Sequence, residues 1–257
     1  MADQRSWRRI LRIAGAVGVV VVMAAAARDL AGGSSAPSTV SSGRNPLTPS
    51  PSAPSASSDP SAALLAELVV ADSDVAPALA VAGLQGGNGL TQPTLDLCNG
   101  TFPSEAMRTA RLQVAAVDGQ GTTVLSTEAV LYSSGAGTTA AFNELRKVAA
   151  ACPSGPVDSP VGEPTVTTRF GPAPDAGWPQ VSSVERLAFS FDVTDASGET
   201  SHSVAVFLRR GRALLGVYFS RPETPPTVQG RATLPDIVNL FAARLAKLPV
   251  EAVSTTA

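Results

Sequence analysis

The most definite chemistry in this chain belongs to its only two cysteines, Cys98 and Cys152. The basic and apolar N-terminus predicts export, and two cysteines in an exported chain usually form a disulfide. Closing a loop of about 54 residues would stabilise the fold by about 4 kcal/mol in the chain-entropy description. The alternative is a redox-active couple, which usually needs a C-x-x-C arrangement or an electropositive surrounding. Neither is visible, so we predict a structural disulfide.

Histidine chemistry rests on a single residue, His202. Alternation along a predicted strand places it on the same face as Val204 and Val206, at the end of a core face. A serine hydrolase or a zinc protease would need further groups, but neither G-x-S-x-G nor H-E-x-x-H occurs in the sequence. Zinc would also need further ligands, and the two cysteines cannot supply them if they form a disulfide. We predict no catalytic residue, no metal and no cofactor.

Paired carboxylates are the other possible catalytic group, because glycan hydrolases use two of them at a set separation. Sequence spacing brings no two of the acidic residues together, and solvated strand ends and helix faces account for them. The chain is therefore predicted not to be an enzyme. The candidates considered by residue type were Glu105, Glu128, Glu144, Glu185 and Asp192.

A polar cluster of Ser104, Glu105, Arg108 and Arg111 follows Cys98 closely. One interpretation is a ligand groove in which Arg108 or Arg111 receives an anion through charge-assisted hydrogen bonds. The other is that Ser104 or Glu105 caps the start of a strand while both arginines face solvent. A mostly apolar cleft with Trp178 at its rim would favour the ligand interpretation.

The N-terminus determines the predicted compartment. Four arginines between residues 5 and 12 precede an apolar run over residues 13–27. The run is shorter than the about 20 residues of a typical spanning helix, so a cleaved signal peptide and a signal anchor both fit. Basic residues before the run favour a cytoplasmic N-terminus. Either way the rest of the chain lies outside, as a single-pass plasma membrane protein or as a secreted one.

The composition changes sharply near residue 60. Residues 32–60 are almost entirely Gly, Ser, Pro, Ala and Thr, which predicts a disordered linker after the signal segment of residues 1–31. One folded domain is predicted over residues 61–250, followed by a disordered tail at 251–257. The net charge is -2 and only 16% of residues are charged. No nucleic-acid partner is predicted, because no basic surface is indicated.

Hydrophobic periodicity and turn residues predict an α+β domain with helices packed on one face of an antiparallel sheet of about six strands. Helices are predicted from residue 59, with Pro60 in the first turn, over residues 138–151 after a Thr138 N-cap, and from Thr233 to about residue 248. The predicted strands are residues 106–117, 124–132, 165–170, 184–193, 199–209 and 213–220.

Several motifs together resemble a known family. The order is LDLC, FPSE and ARLQV, then a strand with Glu128 and Tyr132, then AAFNELR and ACP, and finally VAVFLRRGRALLGVYF before an amphipathic helix. This pattern is similar to the actinobacterial extracellular sensor domain of PknH-type serine/threonine kinases, over residues 61–248. The resemblance implies a disulfide-stapled α+β domain with a cleft for an envelope ligand. Family domains typically carry two disulfides, whereas this chain can form one, and no kinase sequence precedes its apolar segment.

Three functional hypotheses follow. The first is an exported, non-enzymatic domain that binds a small molecule, a lipid or a cell-wall component in a cleft. The second is a structural or interaction protein of the envelope that uses a surface, which a sheet face without a pocket would favour. The third is a secreted hydrolase that acts through His202 or a carboxylate pair.

Overall fold

The computed structural model describes residues 60–158, 167–195 and 197–254. The predicted signal segment and linker, apart from Pro60, lie outside the described residues, as does the end of the predicted tail. The described residues contain eight strands: β1 (Ala80–Gly83), β2 (Arg108–Val117), β3 (Thr123–Tyr132), β4 (Val157–Asp158), β5 (Thr167–Phe170), β6 (Glu185–Thr194), β7 (Thr200–Arg210) and β8 (Ala213–Phe219). They also contain four α-helices: α1 (Pro60–Leu68), α2 (Gly135–Ala151), α3 (Leu234–Lys247) and α4 (Val250–Val253).

All eight strands form one antiparallel sheet in the order β1-β2-β3-β8-β7-β6-β5-β4. Hairpins join β2 to β3, β6 to β7 and β7 to β8; all three turns contain Gly, and the first two also contain Asp. Antiparallel pairing between β3 and β8 joins the two parts of the sheet at its centre. The predicted α+β class, the antiparallel sheet and the single disulfide are confirmed.

Alternation along the central strands divides the core into two parts. Ala129 and Leu131 of β3 point to one side, where they join a cluster with α1 and α3; we call this side the α3 face. Val130 and Tyr132 point to the other side, where they pack with Phe142 of α2; we call this side the α2 face. Eight consecutive residues of β3, from 125 to 132, are buried because both faces of the sheet are covered.

Two details differ from the sequence prediction. The helices cover both faces of the sheet, because β3, β7 and β8 are apolar on both sides and each side needs a cover. The sheet has eight strands rather than about six. The additional ones are β1, whose sequence is AVAG, and the two-residue β4. Both lie at the edges of the sheet and lack the β-branched or aromatic residues in period-two order that signal a strand.

The ends of the helices show where local sequence patterns were sufficient to predict the helix boundaries and where they were not. Thr233 accepts a hydrogen bond from the Asp236 amide at the start of α3, as predicted. Helix α2 instead begins at Gly135, ahead of Thr138, since the small residue Gly137 lets the first turn lie against the Tyr132 ring. The predicted tail begins as helix α4, because Val253 is buried against the domain.

None of the helices in the described part of the chain has the length and hydrophobicity needed to cross a bilayer.

Candidate functional site

A buried carboxylate lies at the centre of the α2 face. Glu128, in the middle of β3, is fully buried and accepts hydrogen bonds from three directions. The Arg111 Nε donates to Oε1 at 2.5 Å, the Thr94 hydroxyl donates to the same oxygen at 2.7 Å, and the Tyr218 hydroxyl donates to Oε2 at 3.3 Å. Burial, followed by the negative charge of Glu128, raises the pKa of Tyr218, so this hydroxyl keeps its proton.

A second carboxylate, Glu105, adjoins this group through the same threonine. Its oxygens accept the Thr94 amide at 2.8 Å and the Leu95 amide at 3.1 Å, and Arg108 Nη2 lies 3.0 Å from Oε2. Burial raises the pKa of Glu105 above its usual value, although the two amides and Arg108 oppose that shift. Glu105 and Glu128 are therefore brought together by the fold, which the sequence spacing did not predict.

Both arginines of the polar cluster point inward. Arg108 and Arg111 are 8% and 5% exposed, so they do not face solvent. Arg108 donates to the Leu90 carbonyl at 2.7 Å and to the Gln92 carbonyl at 2.8 Å, while Arg111 donates to the Gly86 carbonyl at 2.9 Å. These bonds attach the segment of residues 84–97, which we call the strap, to the sheet. Whether either arginine also meets a ligand stays a prediction.

The strap has little regular structure and ends at the disulfide. Cys98 bonds to Cys152, at the end of α2, with a Cα–Cα distance of 5.7 Å, which confirms the predicted pairing. Cys98 and Asn99 have φ values of 50° and 55°, and the Gly100 amide donates to the Leu97 carbonyl at 2.8 Å. A left-handed turn therefore closes the strap, and the disulfide fixes that turn against α2.

Beside the strap lies a concave patch that we call the aromatic depression. Its sheet side carries three rings in contact: Phe189 and Phe207 have centroids 6.1 Å apart, and Phe207 and Tyr218 have centroids 5.8 Å apart. The cavity volume is about 10 Å³, about the space that one water molecule needs. Its lining consists of Thr94, Asp96 and Leu97 from the strap and Phe189, Phe191, Ala205, Phe207 and Tyr218 from the sheet.

A glycine in β8 makes the floor of this patch possible. Gly216 lies opposite both Glu128 and Phe207 in the sheet. A Cβ atom at position 216 would overlap the Tyr218 hydroxyl, so only glycine lets that ring lie along the strand and reach Glu128.

Trp178 lies elsewhere. It packs against the core of the α3 face, with the Arg186 guanidinium 5.6 Å from its ring centroid. It does not line the aromatic depression.

The other candidates for catalysis are placed as follows. The His202 Nδ1 lies 2.9 Å from the Asp192 Oδ1, and both side chains are well exposed at the end of the β6–β7 hairpin. Glu144 accepts the Ser104 hydroxyl at 2.6 Å, and Glu185 pairs with Arg209. Within the described ranges, no group of three or more His, Cys, Asp or Glu side chains could hold a metal ion.

Sequence reasoning missed most of the site. The missed residues are Thr94 and Asp96 of the strap, the rings of Phe189, Phe207 and Tyr218, and the central Gly216. One signal was present: Glu128 is the only charged residue in the strand sequence TVLSTEAVLY. A charge in the middle of an apolar strand is rare unless it is paired in the core. Its partners lie 17, 34 and 90 residues away in sequence, so the pattern alone could not name them.

The fold and site define an α+β domain with a single antiparallel sheet, one disulfide and a polar network that holds a strap over aromatic side chains. No protein-family model matches the chain, and no curated protein matches it.

The solved structures that are similar to this chain include two from mycobacteria. One is the extracellular domain of PknH from Mycobacterium tuberculosis, with a TM-score of 0.38 and 13% identity, covering 67% of this chain and 77% of that one. The other is an uncharacterized protein from Mycobacterium smegmatis, with a TM-score of 0.35 and 14% identity, covering 72% and 94%. The first is the kind of domain that the sequence motifs resemble. At these TM-scores neither similarity carries a functional argument, so membership of that family stays a prediction.

Proposed function

We propose that this chain is an exported, non-enzymatic domain of the cell envelope that binds a small or lipid-like ligand, or a wall component, at the aromatic depression. The observation that supports this most directly is the lining itself. Rings from three neighbouring strands meet at one concave patch, and a segment without regular structure forms its other wall. Concave apolar patches with a few polar groups are the usual form of small-molecule sites.

The compartment in this proposal is outside the membrane, either tethered by the N-terminal segment or secreted. The disulfide supports it, because such bonds persist in oxidising compartments and are rare in the cytosol. The basic and apolar N-terminus supplies the export signal in the same proposal.

The absence of catalysis is proposed from the state of the titratable groups. Glu128 is fully buried and paired with Arg111, and Glu105 is held by Arg108 and two amides. A glycan hydrolase needs its two carboxylates on either side of a cleft that admits a sugar. Here both are used to position the strap, and the adjoining cavity holds about one water molecule.

Ligand entry requires the strap to move, since the depression is nearly filled. Residues 86–92 of the strap are held by directional hydrogen bonds from Arg108 and Arg111 to their carbonyls, whereas Leu95 and Leu97 pack into the core. Segments with many exchangeable polar contacts open at lower free energy than a packed apolar core does. In the proposal, the strap lifts from the aromatic rings while the bonds from Arg108 and the Cys98–Cys152 disulfide keep it attached on either side.

Native mass spectrometry on the full chain, exported and purified from an actinobacterial host, tests the proposal. We expect a mass excess that disappears on denaturation. Phe189, which is half-buried at the depression, should be needed: Phe189→Ala should lose the excess. The matched control is Trp178→Leu, which changes a half-buried aromatic residue on the α3 face and should retain it. The proposal would be contradicted if repeated preparations showed only the mass of the polypeptide, or if Phe189→Ala retained the mass excess.

The second candidate is an envelope interaction protein that uses a surface. Two observations favour it: the small cavity, and the exposure of Leu90 and Met107, at 42% and 43%. These side chains flank Arg108, which binds the Leu90 carbonyl and follows Met107 in the chain. If the wild-type chain shows no bound mass, cross-linking in intact cells should give discrete adducts with a partner protein. Leu90→Ser with Met107→Ser should lose those adducts, and Val250→Ser, which alters another exposed apolar residue, should keep them.

A further inference from the structure

The sequence contains two Asn-Gly pairs, and the strap carries one of them. The first pair is Asn88-Gly89 in the strap, and the second is Asn99-Gly100 in the turn that follows the disulfide-bonded Cys98. An asparagine before a glycine can form a five-membered cyclic imide, because glycine has no side chain to hinder the approach of its backbone nitrogen to the asparagine Cγ atom. The structure surrounds the two pairs differently.

Asn88 lies in the open part of the strap. Its side chain is exposed and makes no hydrogen bond within the described part of the chain. A Cβ atom added to Gly89 would come within 4 Å of two atoms, the Gly86 carbonyl oxygen at 3.3 Å and the Thr91 hydroxyl at 3.7 Å. Loops with little packing around them open locally at low free energy. The Asn88 side chain can therefore turn toward the next backbone nitrogen without disturbing the core.

Asn99 is held in place from two sides. Its side-chain amide donates to the Asp158 carbonyl at 2.9 Å, and the residue before it is cross-linked to the end of α2. A Cβ atom on Gly100 would lie 2.6 Å from the Val148 Cγ2, so this turn lies tightly against the helix. Ring closure at Asn99 would require the side chain to leave its hydrogen bond and the turn to move away from α2.

The backbone hydrogen bonds of the two glycines are alike. The Gly89 amide donates to the Gly86 carbonyl at 2.9 Å, and the Gly100 amide donates to the Leu97 carbonyl at 2.8 Å. Ring closure must break one such bond in either pair. The pairs therefore differ in the freedom of the asparagine side chain and in the packing around it, and both differences favour reaction at Asn88.

We propose that Asn88-Gly89 is a site of spontaneous modification, at which Asn88 converts to aspartate and isoaspartate. The Gly89 backbone nitrogen loses its proton to solvent and bonds to the Asn88 Cγ. The C–N bond of the side-chain amide breaks, and the nitrogen leaves as ammonia after taking a proton from solvent. Water then opens the cyclic imide at one of its two carbonyls, which gives aspartate or isoaspartate. The conversion requires no ligand, so it stands apart from the proposed binding function.

The modified residue would lie between two acceptors of a buried arginine. Arg111 Nη1 donates to the Gly86 carbonyl at 2.9 Å and to the Gly89 carbonyl at 3.4 Å. An isoaspartate carries the main chain through Cγ, which adds one carbon atom between these two carbonyls. Both products also place a negative charge where a neutral amide was. We expect the isoaspartate form to hold residues 86–92 less firmly, because the two carbonyls no longer have the spacing that Arg111 binds.

Peptide mapping by mass spectrometry on the full oxidised chain, incubated at a fixed, mildly alkaline pH and sampled over time, measures both sites at once. We expect Asn88 to convert several-fold faster than Asn99 in the folded chain. In the reduced chain in denaturant the two rates should converge. Equal rates in the folded chain, or a faster reaction at Asn99, would overturn the proposal. A difference that persists unchanged in denaturant would overturn the role given to the fold.

Two variants isolate the reaction and its effect. Gly89→Ala adds a Cβ beside the reacting nitrogen and should slow the conversion several-fold. Asn88→Gln keeps an exposed amide but cannot form the five-membered ring, so it serves if Gly89→Ala disturbs the turn. After incubation, amide hydrogen exchange in residues 86–92 should be faster in the wild-type chain and unchanged in Asn88→Gln.

The remaining outcomes decide the route and the effect separately. Conversion of Gly89→Ala at the wild-type rate would overturn ring closure through the Gly89 nitrogen. Unchanged exchange in a wild-type chain that has converted to isoaspartate would overturn the expected loosening of the strap.

Discussion

The two faces of the sheet are built by different kinds of interaction. The α3 face is closed by apolar side chains of α1 and α3, and its buried acid, Asp74, pairs with Arg244 at the margin. The α2 face places Glu128 and Arg111 in the sheet itself and leaves the aromatic depression beside them. Apolar packing is non-directional, whereas a fully bonded polar network fixes specific positions. The α2 face has an apolar cluster too, but the cluster of the α3 face is larger. We therefore expect the α3 face to supply more of the stability and the polar network of the α2 face to fix the shape of one segment.

The largest expected effect tests the α3 face. Phe241 is fully buried there, so Phe241→Ala should lower the free energy of unfolding by about 3–5 kcal/mol through lost burial and the cavity that remains. Urea denaturation measures it. Phe241→Leu, which keeps most of the volume, should cost about 1 kcal/mol. If Phe241→Ala cost no more than Phe241→Leu, the α3 face would not be the main source of stability.

The next effect tests the disulfide on the α2 face. Replacing Cys98 and Cys152 by alanine should lower the free energy of unfolding by about 4 kcal/mol if chain entropy dominates. Amide hydrogen exchange should then rise first in residues 94–99, where the strap is released, and not in α3. Slow exchange retained in the strap would mean that the polar contacts alone hold it.

A smaller effect tests the polar network. The Thr94 hydroxyl donates to Glu128 and accepts from Arg108 Nη1 at 2.8 Å. Thr94→Val keeps the shape of the side chain but leaves a buried donor and a buried acceptor without this partner, at a cost of about 2 kcal/mol. The matched control is Thr91→Val in the exposed part of the strap, which should change stability by less than about 0.5 kcal/mol. Equal costs for the two variants would show that the network does not order the strap.

The smallest effect is a difference in pH dependence between the faces. Burial raises the pKa of Glu105 in the folded state. The resulting contribution of Glu105 to the free energy of unfolding is fully present below the usual pKa of about 4, and it is lost as the pH rises through the raised, folded-state pKa. Burial would also raise the pKa of Asp74, but its bonds to Arg244, the Ala71 amide and Gln229 lower it overall. The contribution of Asp74 to the free energy of unfolding is therefore present above its usual pKa and is lost as the pH falls through its lowered, folded-state pKa.

Urea denaturation at several pH values measures this difference. As the pH falls toward 4, the wild-type chain should gain stability relative to Glu105→Gln, and on further acidification it should lose stability relative to Asp74→Asn. Parallel pH profiles for the two variants would contradict the contrast between the faces.

Local patterns were enough for the long elements of the fold. The alternation in β6 to β8, the turns between them, and the apolar stripe of α3 specify these elements because each signal lies within a few residues. The edge strands β1 and β4 were missed because each has one β-branched residue, Val81 or Val157, and is too short to show a pattern. They are strands only because a neighbouring strand offers hydrogen bonds.

The candidate site divides in the same way. The sequence by itself determined the disulfide, since a chain with two cysteines has one intramolecular pairing available, and it singled out the polar cluster around Arg108 and Arg111. Only the tertiary structure decided which way those arginines point, that Glu105 and Glu128 meet at Thr94, and that Trp178 lies on the opposite face from the aromatic rings. The physical reason is distance along the chain. A buried charge must find its partner wherever the fold brings one, and no local pattern records that encounter.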